Sequence, residues 1–319
     1  MGTVSIMLKN VAIFVLLALP GYLLVKCKIL DKKQSGALSI LLMYVGMPFL
    51  IFASTINNLT LDRELLVIIL IVMAIGIVYT FAMFFMSKPL TQKEREEKTQ
   101  GMMRFSAVFS NNGFLGIPLA IAVFGANSLV STVVIILNII TNILMFTLGI
   151  YLISGDKKTI SLKKAFLNPV LIAFILGVIA NLLNVNKYLP EVGTYSTYFS
   201  NVVAPISMTI LGMKMGDVKF FELFKSWKIY YVAILKLVVF PLLITLIVFL
   251  LNKVFNAVNV DVVLGFLIAF SMPTAGLAST FSDSFGGDTQ NAVAFTLGTT
   301  ILSIITIPLL YWGFCTLLI

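Results

Sequence analysis

The sequence predicts an all-α polytopic membrane protein: ten transmembrane helices forming two inverted five-helix repeats, with helices four and nine broken and crossed. Three observations lead there. Of the 319 residues 60% are hydrophobic and only 11% charged, against roughly 25% charged in soluble domains. The apolar runs persist for about 20 residues, the length a helix needs to cross some 30 Å of hydrocarbon. Finally, basic residues, prolines and polar interruptions recur in a pattern that alternates along the chain and repeats between its halves.

The apolar runs fall at residues 4–26, 36–57, 64–86, 101–124, 128–154, 167–185, 199–215, 227–252, 260–282 and 289–317. A transmembrane barrel would instead show ten-residue strands of alternating polarity. The first run is too long for the apolar core of a signal peptide, lacks a small-residue cleavage site and is followed by more spans, so it reads as a retained helix. The seventh is the shortest. The longest polar connection is Lys88–Lys98, which leaves no room for a soluble catalytic or nucleic-acid-binding domain. Trp227, Tyr230, Tyr231, Tyr311 and Trp312 fall near span ends and read as interfacial anchors.

The first, third, fifth and seventh connections carry 17 of the 22 Lys and Arg residues. By the positive-inside rule those connections face the cytoplasm, which places both termini on the extracytoplasmic side of a multi-pass cell-membrane protein. The net charge of +9 is then a cytoplasmic-face signal and no nucleic-acid partner is expected. Pro118 and Pro273 lie 155 residues apart (273 − 118), and Pro48 and Pro205 lie 157 apart (205 − 48). Two similar offsets indicate two five-span halves, and because five is odd the second half enters the membrane inverted, the architecture that supports alternating access.

Candidate functional residues lie at the interruptions. Span four carries Ser110-Asn111-Asn112-Gly113-Phe114-Leu115-Gly116-Ile117-Pro118 and span nine carries Ser271-Met272-Pro273-Thr274-Ala275-Gly276. Glycine and proline weaken a helix there while amides and hydroxyls bring donors and acceptors to the same place. Backbone groups freed in hydrocarbon must meet protein, water or ligand, so Asn111, Asn112, Gly113, Pro118, Pro273 and Thr274 are expected at a midplane binding site. Half-helix N-termini converging there favour an anion. Lys236 lies roughly 13 Å into span eight at 1.5 Å per residue, too deep for easy snorkelling, and should face a polar cavity, helix carbonyls or an anionic substrate. All 13 Asp and Glu fall in connections or near span ends and there is no His, which disfavours proton relay through a buried carboxylate. Asp283 and Asp288 are explained by a Gly-Gly turn and a helix cap. Cys27 and Cys315 have no metal-ligand or disulfide spacing, so no metal or cofactor is expected. No nucleophile, carboxylate pair or metal cluster marks an enzyme.

In their order and spacing these motifs resemble the auxin efflux carrier family, which includes PIN-FORMED auxin exporters and bacterial proteins described as malate or malonate permeases. The stretches that carry the resemblance run from Gly21-Tyr22-Leu23-Leu24 through Val45-Gly46-Met47-Pro48, Ser110–Leu119, Asn168-Pro169, Ala204-Pro205, Leu211-Gly212-Met213, Lys236–Pro241 and Met272-Pro273-Thr274-Ala275 to Thr306-Ile307-Pro308. The resemblance implies a fold similar to sodium/proton antiporters and bile-acid transporters. Scaffold helices one and two (1–60) and six and seven (167–216) would flank transport-domain helices three to five (61–166) and eight to ten (217–319), which move as an elevator. It places Asn111 at the substrate crossover and implies a secondary transporter of a small organic anion such as a dicarboxylate or auxin-like acid, coupled to protons or sodium or to neither, with a homodimer through the scaffold. A sodium-coupled symporter of the bile-acid type and a membrane receptor binding a ligand at the broken helices are the alternatives. The long central cytoplasmic loop of plant members is missing, since only Gly155–Ala165 joins the halves.

Overall fold

The computed structural model describes residues 9, 13, 16–58, 63–126, 128–156, 158, 167, 169–216, 224–255 and 259–317. Most of the expected first span before Leu16, with Lys157, Lys163, Lys164, Asn168 and Lys219, lies outside them. The described regular elements are helices: α1 Leu19–Lys26, α2 Ser35–Leu41, α3 Met47–Asn58, α4 Arg63–Thr91, α5 Glu97–Val108, α6 Ile117–Phe124, α7 Leu129–Leu144, α8 Ile150–Ser154, α9 Pro169–Leu182, α10 Val185–Tyr188, α11 Pro190–Asn201, α12 Val203–Met215, α13 Trp227–Ile234, α14 Phe240–Phe255, α15 Val260–Ser271, α16 Ala278–Phe285 and α17 Thr289–Leu317. Among the described residues five continuous stretches, Ser35–Ile56, Glu64–Thr91, Leu129–Ser154, Trp227–Val254 and Thr289–Thr316, are long and apolar enough to cross a membrane. This helical architecture is consistent with a polytopic membrane protein.

Four wide π-turns interrupt or open these helices, at Leu42–Gly46, Asn112–Gly116, Met145–Gly149 and Leu235–Val239. Three of them end two residues before a proline, Pro48, Pro118 or Pro241. Proline donates no N–H and its ring crowds the carbonyl four residues back, so the hydrogen-bond ladder widens by one residue just upstream of it. The same local chemistry therefore recurs at these three prolines, each of which has helix on its N-terminal side.

The helices pack as two groups. In the first, α1 lies on α12 and α3 lies on α9 and α11. A Cβ on Gly21 would stand 1.9 Å from the Thr209 carbonyl oxygen, and one on Gly212 1.8 Å from that of Ala18, so the backbones of α1 and α12 touch reciprocally. Phe49 stacks on Phe199 with ring centroids 4.7 Å apart. In the second group α7 packs on α4 and α15, α14 on α15, and α17 on α5, α13 and α16. The fully buried Phe105, Phe109, Phe240, Phe266 and Phe295 all belong to it, which makes it the better-filled body. Tyr311, expected as an interfacial anchor, is instead buried against Phe124 with centroids 5.9 Å apart, while Trp227, Tyr230 and Trp312 are exposed.

At one end of the molecule the third, seventh and ninth connections meet. Lys228 pairs with Glu94 at 2.6 Å, the Tyr231 hydroxyl donates to the Leu90 carbonyl at 2.6 Å, and Thr99 donates to Asp288 at 2.6 Å. The hydrogen bond from Lys228 holds the Glu94 carboxyl below its ordinary 4.5. Asp288 also accepts the Asn291 N–H at 3.0 Å as the cap of α17, the role its sequence position indicated.

Candidate functional site

Spans four and nine are both broken. After α5 ends at Val108, residues 109–111 are non-helical before the π-turn at Asn112 leads into α6; after α15 ends at Ser271, residues 272–277 are non-helical before α16 begins at Ala278. The two breaks clasp each other through their backbones. The Asn111 N–H donates to the Pro273 carbonyl at 2.8 Å and the Ala275 N–H donates to the Phe109 carbonyl at 2.9 Å, an antiparallel bridge pairing Ser110 with Thr274. Each break thereby satisfies groups that the other leaves free, which answers the demand that a hydrocarbon interior makes on non-helical backbone.

Side chains tighten the clasp. Thr274 is fully buried; its hydroxyl donates to the Ser106 carbonyl at 3.0 Å and its N–H to the Thr299 hydroxyl at 3.1 Å. Lys236, also fully buried, sits in the π-turn between α13 and α14 and donates its ammonium to the Ser110 hydroxyl. Pro118 stands in the first turn of α6. It leaves the Phe114 carbonyl without its usual donor, and Ser207 of α12 donates to that oxygen at 3.1 Å.

Beside the clasp, between the two helix groups, lies a cleft of about 460 Å³. Its walls are Ser110, Asn111, Gly113 and Phe114 from the first break, Ala275, Gly276 and Leu277 from the second, Asn138, Thr141, Asn142, Met145 and Phe146 from α7 and the turn after it, and Met43, Met47 and Val170 from the first group. The N-terminal ends of the π-turn at Asn112 and of α16 both open at this wall, and no charged residue lines it among the described residues. An uncharged polar surface with two helix N-termini attracts negative charge.

Of the residues expected at the site, Asn111 and Gly113 line the cleft. Pro273 and Thr274 form the clasp behind it, and Lys236 is one hydrogen bond away behind Ser110. Asn112 is buried, with its Oδ1 lacking a hydrogen-bond partner among the described residues. Asn138, Thr141 and Asn142 were missed by the sequence reading. The signal was there: Asn138 and Asn142, four apart in an otherwise apolar run, fall on one face of a helix.

With this geometry in place, the family model for membrane transport proteins matches residues 5–311. The chain belongs to this family. Its members are the auxin efflux carriers and their relatives, the family that the motifs resemble. An uncharacterized transporter of Methanothermobacter thermautotrophicus is 29% identical over 304 residues, covering 94% of this chain and 96% of its own. An uncharacterized transporter of Methanocaldococcus jannaschii is 27% identical over 317 residues, covering 96% and 98%. The protein is therefore a membrane transport protein, and membership of a carrier family accords with the lack of enzyme motifs in its sequence.

Proposed function

We infer that this family member is a secondary carrier of a small organic anion, with a carboxylate as the group it recognises. The observation that carries this is the cleft wall, where two half-helix N-termini and the amide of Asn111 meet without any acidic side chain. The buried ammonium of Lys236 behind Ser110 adds positive potential to the same place. The two packing groups correspond to the scaffold and the moving body of an elevator: α1, α3, α9, α11 and α12 fall in 1–60 and 167–216, and the crossed breaks ride on the other group. In chain order each break lies between two long helices, α4 and α7 for the first and α13–α14 and α17 for the second, which supports two related halves. The meeting of the third, seventh and ninth connections at one end supports a cytoplasmic face there and termini outside.

The test is flux in proteoliposomes loaded with malonate, malate or indole-3-acetate, with and without sodium and at two pH values. Counterflow of one of these acids is expected, reduced at least tenfold in Asn111→Ala. Normal flux of the transported acid in that variant would remove Asn111 from the site; transport confined to amines or neutral solutes would end the anion assignment.

A further inference from the structure

A second cleft, of about 560 Å³, lies between α9 and the adjoining helices α4 and α7, lined among the described residues by isoleucine, leucine, methionine and phenylalanine alone. Its size falls within the roughly 300–1,000 Å³ of small-molecule sites. Ile136, Ile139 and Ile140 of α7 form the floor, each only 3–4% exposed, while Met73, Leu171 and Phe174 on the walls are half-buried. The floor is closed because α4 and α7 meet at Gly76, where a Cβ would stand 2.6 Å from Leu137 Cδ2 and 3.2 Å from Ile140 Cδ1. One residue further on, Ile77 is exposed at the rim. Opposite it α9 packs mainly on α3 and only lightly on α7, so the outer side stays open.

Depth and surroundings identify what fills it. Met73 is nine residues from the start of the membrane-crossing stretch Glu64–Thr91 (73 − 64) and Ile77 fourteen from its end (91 − 77), roughly 13 and 21 Å at 1.5 Å per residue. That is hydrocarbon depth, out of reach of lipid headgroups. Beyond the rim, Leu70 and Val78 of α4 and Ile172, Ile175 and Leu176 of α9 are exposed, so the cleft is continuous with the apolar surface that meets the bilayer. Water needs polar partners that these walls lack, and a carboxylate substrate would find no donor here. Left empty, the walls would forfeit their dispersion contacts. Lipid tails are as apolar as leucine and are the one solvent present at this depth.

We propose that this cleft is a lipid site: one acyl chain of a bilayer lipid enters between α9 and the α4–α7 pair and rests on the isoleucine floor. The chain supplies contacts that protein atoms do not. Being fluid, it fills the boundary between the two helix groups without interlocking them. The assignment stands apart from the anion-carrier reading, since it uses neither the broken helices nor the charge of a substrate.

The experiment places the full chain in phosphatidylcholine proteoliposomes doped with a phosphatidylcholine that carries a photoactivatable diazirine midway along one acyl chain. After irradiation, peptide mass spectrometry locates the adducts. Lipid around the protein labels Leu70 and Val78, which are 66% and 68% exposed, whatever the cleft holds. Adducts on Ile136, Ile139 or Ile140 are expected as well, because only a chain inside the cleft reaches them. Leu171→Trp fills the cleft from the α9 side, so the floor adducts should be lost while those at Leu70 and Val78 persist; its unfolding temperature checks that it folds. Floor adducts that survive in the folded variant would place the chain elsewhere and overturn the assignment. A floor left unlabelled in the wild type, beside labelled Leu70 and Val78, overturns it too and gives the cleft to protein, a second copy or another part of this chain. Should Leu171→Trp not fold, the wild-type pattern alone decides.

Discussion

Ser110 faces two ways. Its backbone belongs to the clasp with Thr274, and its hydroxyl accepts the buried ammonium of Lys236 while the residue also borders the cleft. A charged group with one side-chain partner is sensitive to losing it. Ser110→Ala should therefore destabilise the protein by about 1.5–3 kcal/mol, the range for hydrogen bonds to charged groups. Lys236→Met, which removes the buried charge together with its need for a partner, should cost less than Ser110→Ala; thermal unfolding of both variants at neutral pH measures the order. The reverse order would show that the ammonium has other anchors. Lys236 was legible in the sequence because a charge so deep in an apolar run needs a reason, whereas its partner was not, since any hydroxyl on a neighbouring span would have served. Thr274 shows the opposite case: the motif marked it, but its hydroxyl and N–H are both consumed within the clasp.

Among the elements, the interruptions were the most legible feature. A proline set two residues after each of three π-turns is a covalent cause, visible in one chain without any partner. The clasp between the breaks was not visible, because it is made by N–H and carbonyl groups that every residue carries. Close helix contacts lie between these extremes: Gly21 and Gly212 are ordinary glycines in the sequence, and only the approach of α1 to α12 gives them meaning. Replacing either by Ala sets a methyl group against a main-chain oxygen under 2 Å away. Backbone cannot yield as a side-chain end can, so Gly212→Ala should cost at least the roughly 1–3 kcal/mol typical of overpacking. Gly36→Ala, where a Cβ would meet nothing within 4 Å, should be neutral, and paired unfolding measurements compare the two. Equal stability of the two variants would mean that α1 and α12 can separate without penalty.

At the scale of the whole molecule, three clefts among the described residues lie along one boundary. Besides the polar cleft at the breaks, one of about 500 Å³ lies between Ala18, Met208, Leu211 and Met215 on one side and Leu115, Leu119 and Thr300–Ile307 on the other. Another of about 560 Å³ separates Leu171 and Phe174 from Met73, Ile77 and the α7 face. All three open along the boundary between the two helix groups. A boundary interrupted by clefts resists sliding less than a continuously packed core, which suits relative motion of two bodies. Polar contacts across it then matter more than their number suggests. Lys214, at the end of α12, donates to the Ser279 hydroxyl at 2.7 Å, tying the first group to α16 one residue beyond the helix end that opens on the polar cleft. Lys214→Ala removes that tie and leaves each group's own core intact. Hydrogen exchange across residues 278–285 should rise, with the interior of α7 as protected as before, and counterflow should be as fast as in wild type or faster if leaving this conformation limits the cycle. Unchanged exchange in α16 would mean that the Lys214 contact does not hold the groups together and that the apolar boundary alone sets their position.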